Sequence, residues 1–279
     1  MLFALTLGLA LTFTSADGSS IAGTLSFPTT LAAKVPAIVL VGSNGPADRL
    51  QSVGATKVFD LYATALNKAG FAVLRYDNRG VGESTTKTRP SAVRRQNFID
   101  DAMAAITATA ADSRVDPNRI FGLGMSEGAE TLLAAALEGA RLRGLVLVGP
   151  LSLPYAQALA EQDLSAGSEV QERDRLLLAL PYFQSYQGID PRQEIGSVQQ
   201  PILAVRGLYD QQTPAADFDG LVNAAQTAHR TITAERFARD DHFLLRLPPD
   251  ELQSGPQYAQ AHRLDPGAIA FIVSWLRSH

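Results

Sequence analysis

Continuous apolar runs alternate with helix-spaced apolar positions along most of this chain. Ala37-Ile38-Val39-Leu40-Val41 and Leu145-Val146-Leu147-Val148 are unbroken runs, the signature of strands buried on both faces. Val58, Leu61, Tyr62, Leu66 and Ala69 recur at helical spacing, and Gly70 closes that helix. Phe71 to Tyr76 predicts the next strand. Phe98, Ala102, Ile106 and Thr109 predict a helix running into a turn at Asp116-Pro117-Asn118. A short apolar run, Arg119-Ile120-Phe121, then leads through a Gly-rich stretch into an Ala/Leu-rich helical pattern from Ala129 to Ala140. Pro201 to Arg206 and Thr231 to Phe237 predict two further strands. Asp265-Pro266, an N-cap followed by proline at the first helical position, opens a final helix to about Leu276. Near the start, Asp17-Gly18 is a turn signal joining a first strand to a second at about Ile21 to Phe27. The pattern predicts an α/β fold over residues 1–279, a mostly parallel central sheet with helices on both faces and a short antiparallel N-terminal hairpin. Residues 150–198 break the rhythm with Pro154, Pro181, Pro191, charges and a helical stretch around Glu172 to Leu180. They are predicted to form a small helical cap insertion.

Composition narrows the function classes. With 46% hydrophobic and 19% charged residues the chain is globular in type. The net charge is −4 and no basic run or basic aromatic patch occurs, which argues against nucleic acid as a partner. The absence of cysteine excludes disulfides, thiolate catalysis and Cys-ligated zinc. The four histidines, His229, His242, His262 and His279, are too scattered for a metal-ligand motif. No stretch of 18 apolar residues predicts a membrane span. Residues 1–16 admit two readings. Met1 to Leu11 is apolar like the core of a secretory leader, with Thr14-Ser15-Ala16 as a cleavage site, which would imply export. It lacks a positive n-region, and Phe3, Leu5, Leu7, Leu9, Leu11 and Phe13 alternate with smaller residues. That period of two favours a strand, and with it a cytoplasmic location.

The chemistry is concentrated in Gly122-Leu123-Gly124-Met125-Ser126-Glu127-Gly128. Residues 124–128 read G-x-S-x-G between a predicted strand and a predicted helix, the setting of a nucleophile elbow. The glycines permit a tight turn, and the serine hydroxyl stands at a helix N-terminus, which favours developing negative charge. The competing reading is a Gly-rich turn with an incidental serine. A serine hydroxyl needs a base to become nucleophilic, usually a histidine oriented by a carboxylate. The expected order is Ser, Asp/Glu, His, each on a loop after a strand. His242 follows the last predicted strand. His229 precedes it, His262 lies after a Pro/Gln-rich segment and His279 ends the chain. His242 is therefore the candidate base. Asp210, just past the strand ending at Arg206-Gly207, is the candidate acid; its alternative role is to cap the turn near Thr213-Pro214. Asp240 and Asp241 are weaker rivals, one of which could instead tune surface charge. The expected oxyanion donors are the backbone N–H of Glu127 and one from the loop Gly42-Ser43-Asn44-Gly45-Pro46, with Asn44 favoured and Ser43 the alternative. The Glu127 side chain reads as a favourable acid at a helix N-terminus.

Three further motifs carry a family resemblance. Asp17-Gly18-Ser19-Ser20-Ile21-Ala22-Gly23-Thr24-Leu25-Ser26-Phe27-Pro28 resembles a "D-G-x-x-x-x-G-T-L-x-x-P" hairpin. Residues 42–49, GSNGPADR, resemble "H-G-S-G-P-x-D-R". Leu74-Arg75-Tyr76-Asp77-Asn78-Arg79-Gly80-Val81-Gly82-Glu83-Ser84 resembles "L-R-Y-D-x-R-G-x-G-x-S". With the elbow, these are similar to the α/β-hydrolase superfamily, in its serine esterase branch. Gly42 departs from the pattern where a histidine often stands, and Ser43 where a glycine does. The resemblance implies hydrolysis of a small-molecule carboxylic ester through a serine acyl-enzyme, with Ser126 as nucleophile, His242 as base and then acid, Asp210 as orienting carboxylate, and no cofactor. Asp77 and Arg79 are expected to form a structural pair. Leu151, Leu153, Tyr155, Leu176 to Leu180, Tyr182 and Phe183 of the cap would either wall an acyl pocket or pack the cap onto the sheet. The same residues permit thioester, acyl-transfer or aminopeptidase chemistry, and a non-catalytic binding protein on this scaffold is the reading from another class. Oligomeric state is not legible in the sequence.

Overall fold

The computed structural model describes residues 8–31, 33–154, 176, 178–251 and 258–279. Among them are ten strands: β1 (Leu9–Thr14), β2 (Ser20–Ser26), β3 (Val35–Val41), β4 (Ser52–Val53), β5 (Thr56–Lys57), β6 (Ala72–Tyr76), β7 (Val115–Met125), β8 (Gly144–Val148), β9 (Ile202–Gly207) and β10 (Ile232–Phe237). The α-helices are α1 (Val58–Lys68), α2 (Arg95–Ala111), α3 (Glu127–Leu137), α4 (Pro181–Gln184), α5 (Pro191–Ser197), α6 (Ala215–Thr227) and α7 (Pro266–Ser278). The main sheet has the order β1-β2-β6-β3-β7-β8-β9-β10. The β1–β2 and β2–β6 pairs are antiparallel, and every other pair is parallel. This is the predicted fold.

Alternate residues of the parallel strands feed two cores. Ala37, Val39, Ile120, Leu145 and Leu147 join α2, α3, α5 and α6 on one face. Ile38, Leu40, Phe121, Leu123, Val146 and Val148 join α1 and α7 on the other. A strand covered on both faces has no polar side to present, so its sequence is a continuous apolar run. Asp265 caps α7 as predicted, its Oδ1 accepting from the N–H groups of Gly267 and Ala268. No described helix is long and apolar enough to cross a membrane.

Two predictions need correction. Asp116-Pro117-Asn118 lies inside the span of β7 rather than before it, as an excursion: Val35 pairs with Val115, and two residues later Ala37 pairs with Ile120. The turn chemistry is real, since Asn118 N–H donates to Asp116 Oδ1 at 3.0 Å, but the chain rejoins the same strand pair. Asp77 and Arg79 are both structural, yet they do not pair with each other. Asp77 meets Arg49 at 2.6 Å, while Arg79 is held by Asp101 and Asp17, each at 2.7 Å. The predicted strand over residues 3–13 is seen as β1 from Leu9, with residues 1–7 outside the described set. The predicted cap helix around Glu172 to Leu180 likewise falls largely outside it, as does Tyr155. Leu176 and Leu180 are exposed, so they do not wall a pocket.

The Arg79 cluster joins β1–β2, the loop after β6 and α2. Arg79 also donates to the Asn97 carbonyl at 2.8 Å, and its side chain is only 2% exposed against 1% for Asp101. Arg79→Ala leaves a buried carboxylate without its cation. The expected loss is about 3–5 kcal/mol of unfolding free energy, measured by urea denaturation.

Candidate active site

The elbow forms because one residue adopts an unusual backbone position and two glycines leave room for close approach. Ser126 links β7 to α3 with φ 55°, in the left-handed region that side chains rarely adopt. A Cβ on Gly124 would lie 2.6 Å from the Gly128 carbonyl carbon, and one on Gly128 would lie 2.6 Å from the Gly42 carbonyl oxygen. Both must be glycine for α3 to start this close to β3 and β7. Ser126 N–H donates to the Val148 carbonyl at 3.0 Å, tying the turn to the end of β8. Its side chain caps nothing in α3.

The Asp210 and His242 side chains meet behind Gly149, the residue after β8. His242 Nδ1 and Asp210 Oδ2 are 2.9 Å apart, and both residues are buried. Asp210 Oδ1 accepts from Gln212 and Thr213 N–H, each at 2.8 Å. One oxygen thus faces the imidazole and the other holds the turn at Gln212 and Thr213. A Cβ on Gly149 (φ 55°) would stand 2.7 Å from the imidazole. Ser126 and His242 thus flank the Val148–Gly149 peptide. Among the described residues no hydrogen bond joins Ser126 Oγ to the ring, and His242 Nε2 is buried without a partner.

The rivals occupy other positions. Asp241 Oδ1 accepts from Phe243 and Leu245 N–H at 2.8 and 2.9 Å, and its Oδ2 accepts from Tyr258 Oη at 2.9 Å. It shapes the His242 loop. Asp240 is fully buried beside Asp265, so neither aspartate tunes surface charge. Burial, then the neighbouring Asp265 carboxylate, pushes the Asp240 carboxyl up to about 8. His262 Nε2 lies 2.7 Å from Glu251 Oε2, His279 stacks on Trp275, and His229 follows α6 at the opposite end of the strands from His242.

Gly42 and Asn44 resolve the departure from the family pattern. The place of a Gly42 side chain is taken by Gln51, whose carboxamide oxygen would collide with a Cβ there. Asn78 Nδ2 donates to the Ser43 and Gly45 carbonyls, each at 2.9 Å, and fixes the loop from the β6 side. The Asn44 side chain donates through Nδ2 to Tyr186 Oη at 2.9 Å and lies 3.3 Å from Thr131 Oγ1. The sequence reading missed what surrounds Glu127. Its carboxyl accepts from Tyr182 Oη at 3.0 Å, and burial pushes it up to about 7 against the opposing effects of Tyr182 and the Asn44 backbone N–H. The one local signal was an acid directly after Ser126, which a helix N-terminus alone would explain.

Comparison with known proteins agrees with this architecture. The chain belongs to the α/β-hydrolase superfamily. Residues 54–173 match the family described as serine aminopeptidase, S33. An uncharacterized protein of Mycobacterium tuberculosis, Rv2307c, is 31% identical over 229 residues, covering 82% of this chain and 71% of that one. Esterase EstD of Thermotoga maritima is 28% identical over 203 residues, covering 65% of this chain and 48% of EstD, so the chain spans about half the length of that relative. In fold it is similar to the Pyrococcus furiosus esterase Pf2001, with TM-score 0.67, 14% identity, and coverage of 98% of this chain and 93% of that one. It is also similar to the Pyrococcus horikoshii acylaminoacyl peptidase, with TM-score 0.67, 13% identity, and coverage of 97% and 41%.

Two outcomes follow from this geometry. Gly149→Ala should push the imidazole aside and lower ester hydrolysis by about 10²-fold, measured as kcat/KM with the fold checked by circular dichroism. Asp240 holds its proton to about pH 8 when folded, whereas its ordinary value is 3.8. Its stabilising contribution is complete below the ordinary value and is lost as pH rises through the folded one. Asp240→Asn should therefore raise the melting temperature relative to the native protein at pH 8, with the advantage shrinking toward pH 4. A pH-independent difference would contradict the assignment.

Proposed function

We propose that the protein is a serine carboxylesterase in which Ser126 is the nucleophile, His242 the general base and Asp210 the orienting carboxylate. The observation that carries this reading is the buried His242–Asp210 pair, with Nε2 left unpaired and the ring against Gly149, the residue after the Val148 carbonyl that takes the Ser126 N–H. Asp210 holds the proton on Nδ1, so Nε2 presents its lone pair. Because Asp210 Oδ1 is already taken by two backbone donors, the carboxylate cannot swing away from the ring.

In the first half-reaction Ser126 Oγ attacks the ester carbonyl carbon, and its proton passes to His242 Nε2. The tetrahedral oxyanion is stabilised by the Glu127 and Asn44 backbone N–H groups, each such donor contributing on the order of 3 kcal/mol. The C–O bond to the alcohol then breaks, and the imidazolium returns its proton to the departing oxygen. Water repeats the sequence on the acyl-enzyme, releasing the carboxylic acid and restoring Ser126. The substrate is a small-molecule ester, and no cofactor takes part. Among the described residues of 150–198, α4 belongs to the cap, whereas Ile195 of α5 packs into the main core.

A second reading is amide cleavage from a peptide N-terminus, favoured by the match to the serine aminopeptidase family. The same groups perform it, with an amine as the leaving group. Parallel rates on p-nitrophenyl esters and aminoacyl p-nitroanilides separate the two. Ser126→Ala should abolish turnover and labelling by a fluorophosphonate while the protein stays folded. Asp210→Asn should lower kcat by up to about 10⁴. Undiminished turnover in Ser126→Ala would overturn the nucleophile, and a mild effect of Asp210→Asn would overturn the acid.

A further inference from the structure

A chain of hydroxyl groups leads from the oxyanion loop through the segment around α4 to the carboxyl of Glu127. Asn44 Nδ2 donates to Tyr186 Oη at 2.9 Å, the Tyr186 and Tyr182 hydroxyls are 2.9 Å apart, and Tyr182 donates to Glu127 Oε1 at 3.0 Å. A phenol has one proton to give. Tyr182 spends its proton on Glu127, so Tyr186 is the donor between the two phenols. Every bond therefore points the same way, from Asn44 toward Glu127. The rings are fixed by packing: Phe98 lies edge-on to Tyr182 at 5.8 Å, and the Arg95 guanidinium stands 5.6 Å from the centre of Tyr186 while Glu194 holds it at 2.7 Å.

Building on the serine-hydrolase reading above, we propose that Glu127, Tyr182 and Tyr186 are positioning residues for the oxyanion site, setting where the Asn44 backbone N–H stands relative to the nucleophile turn. The two proposed donors come from separate parts of the chain. One is the N–H of Glu127 itself. The other belongs to the Asn44 loop, and the Glu127 carboxyl ties that loop back to the turn through the two tyrosines.

The working form of Glu127 is the neutral acid. Its carbonyl oxygen still accepts from Tyr182, so the chain stays closed. The Asn44 N–H already meets this carboxyl; an ionised Glu127 would keep hold of it and set a negative charge where the transition state develops another. The groups that face it are Tyr182 and Tyr186 from the α4 side and Glu130 on α3, with the Arg95–Glu194 pair and Asp217 acting on Glu130. Burial pushes the Glu127 carboxyl up to about 7, so the change of form falls in the neutral range.

The test is steady-state hydrolysis of p-nitrophenyl acetate across pH, using the full chain and the variants Glu127→Gln, Tyr186→Phe and Ser126→Ala. Expected are a fall in kcat/KM above about pH 7 in the native protein and its absence in Glu127→Gln. Tyr186→Phe should lower kcat by about tenfold while KM changes less than about twofold, because a misplaced donor weakens the transition state more than the bound ester. If Tyr186→Phe does not fold, the Glu127→Gln profile decides alone. A native profile without the alkaline fall, or the same fall in Glu127→Gln, overturns the inference. Ser126→Ala keeps the two levels apart: if it is inactive while Glu127→Gln and Tyr186→Phe match the native protein, only the positioning role fails. If it is active, the underlying reading fails.

Discussion

The left-handed backbone at Ser126 is the constraint from which the rest of the site follows. A serine at φ 55° persists only where its surroundings leave no alternative. Here they are the end of β8, which takes the Ser126 N–H, and the glycines that let α3 begin against β3 and β7. The same crowding sets the direction of the hydroxyl, which makes no cap for α3. Strain in the turn is thus balanced by two-sided burial of the parallel strands, the least deformable part of the fold.

The motifs behind the family resemblance turn out to be partners of one another. Arg49 in the loop after β3 pairs with Asp77 after β6. Burial alone would raise the Asp77 carboxyl, but Arg49 and two backbone donors outweigh it and hold it below its ordinary value. Asn78 carries the carbonyls of Ser43 and Gly45, Ser84 bridges the Asp77 carbonyl and the Ala22 N–H, and Arg79 reaches Asp17 in the hairpin. Three stretches that look independent in sequence form one polar brace beneath the loop after β3. Such buried ion pairs contribute little net energy compared with apolar packing, but they are costly to break singly.

The strands, their order of burial and the relative order of Ser126, Asp210 and His242 were legible because each rests on local pattern: apolar runs, turn residues and position after a strand. The chain's departures were legible only as departures. That Gln51 fills the space beside Gly42 depends on the backbone bringing them together. The contacts of Glu127 with Tyr182, 55 positions away, and of Asn44 with Tyr186, 142 positions away, leave no periodic trace. Nor does the burial of Asp240, whose neighbours Asp241 and His242 suggest a polar surface turn. The proline at position 117 misled for a different reason, since a turn signal says that the chain bends but not whether it then rejoins the same strand.

The loop that carries His242 is held from before, by Tyr62 Oη on the Phe243 carbonyl and Tyr209 N–H on the Asp240 carbonyl, and closed by residues that come after it. Tyr258 reaches Asp241, the Arg263 carbonyl takes the Arg246 N–H, and Asp265 N–H donates to the Leu244 carbonyl. The Tyr258 carbonyl in turn receives Ala55 N–H, and His262 N–H donates to Thr56, 206 positions earlier. The imidazole is therefore placed by a relay across the fold: residues 55–56 hold 258–262, and these in turn hold the loop that carries the ring.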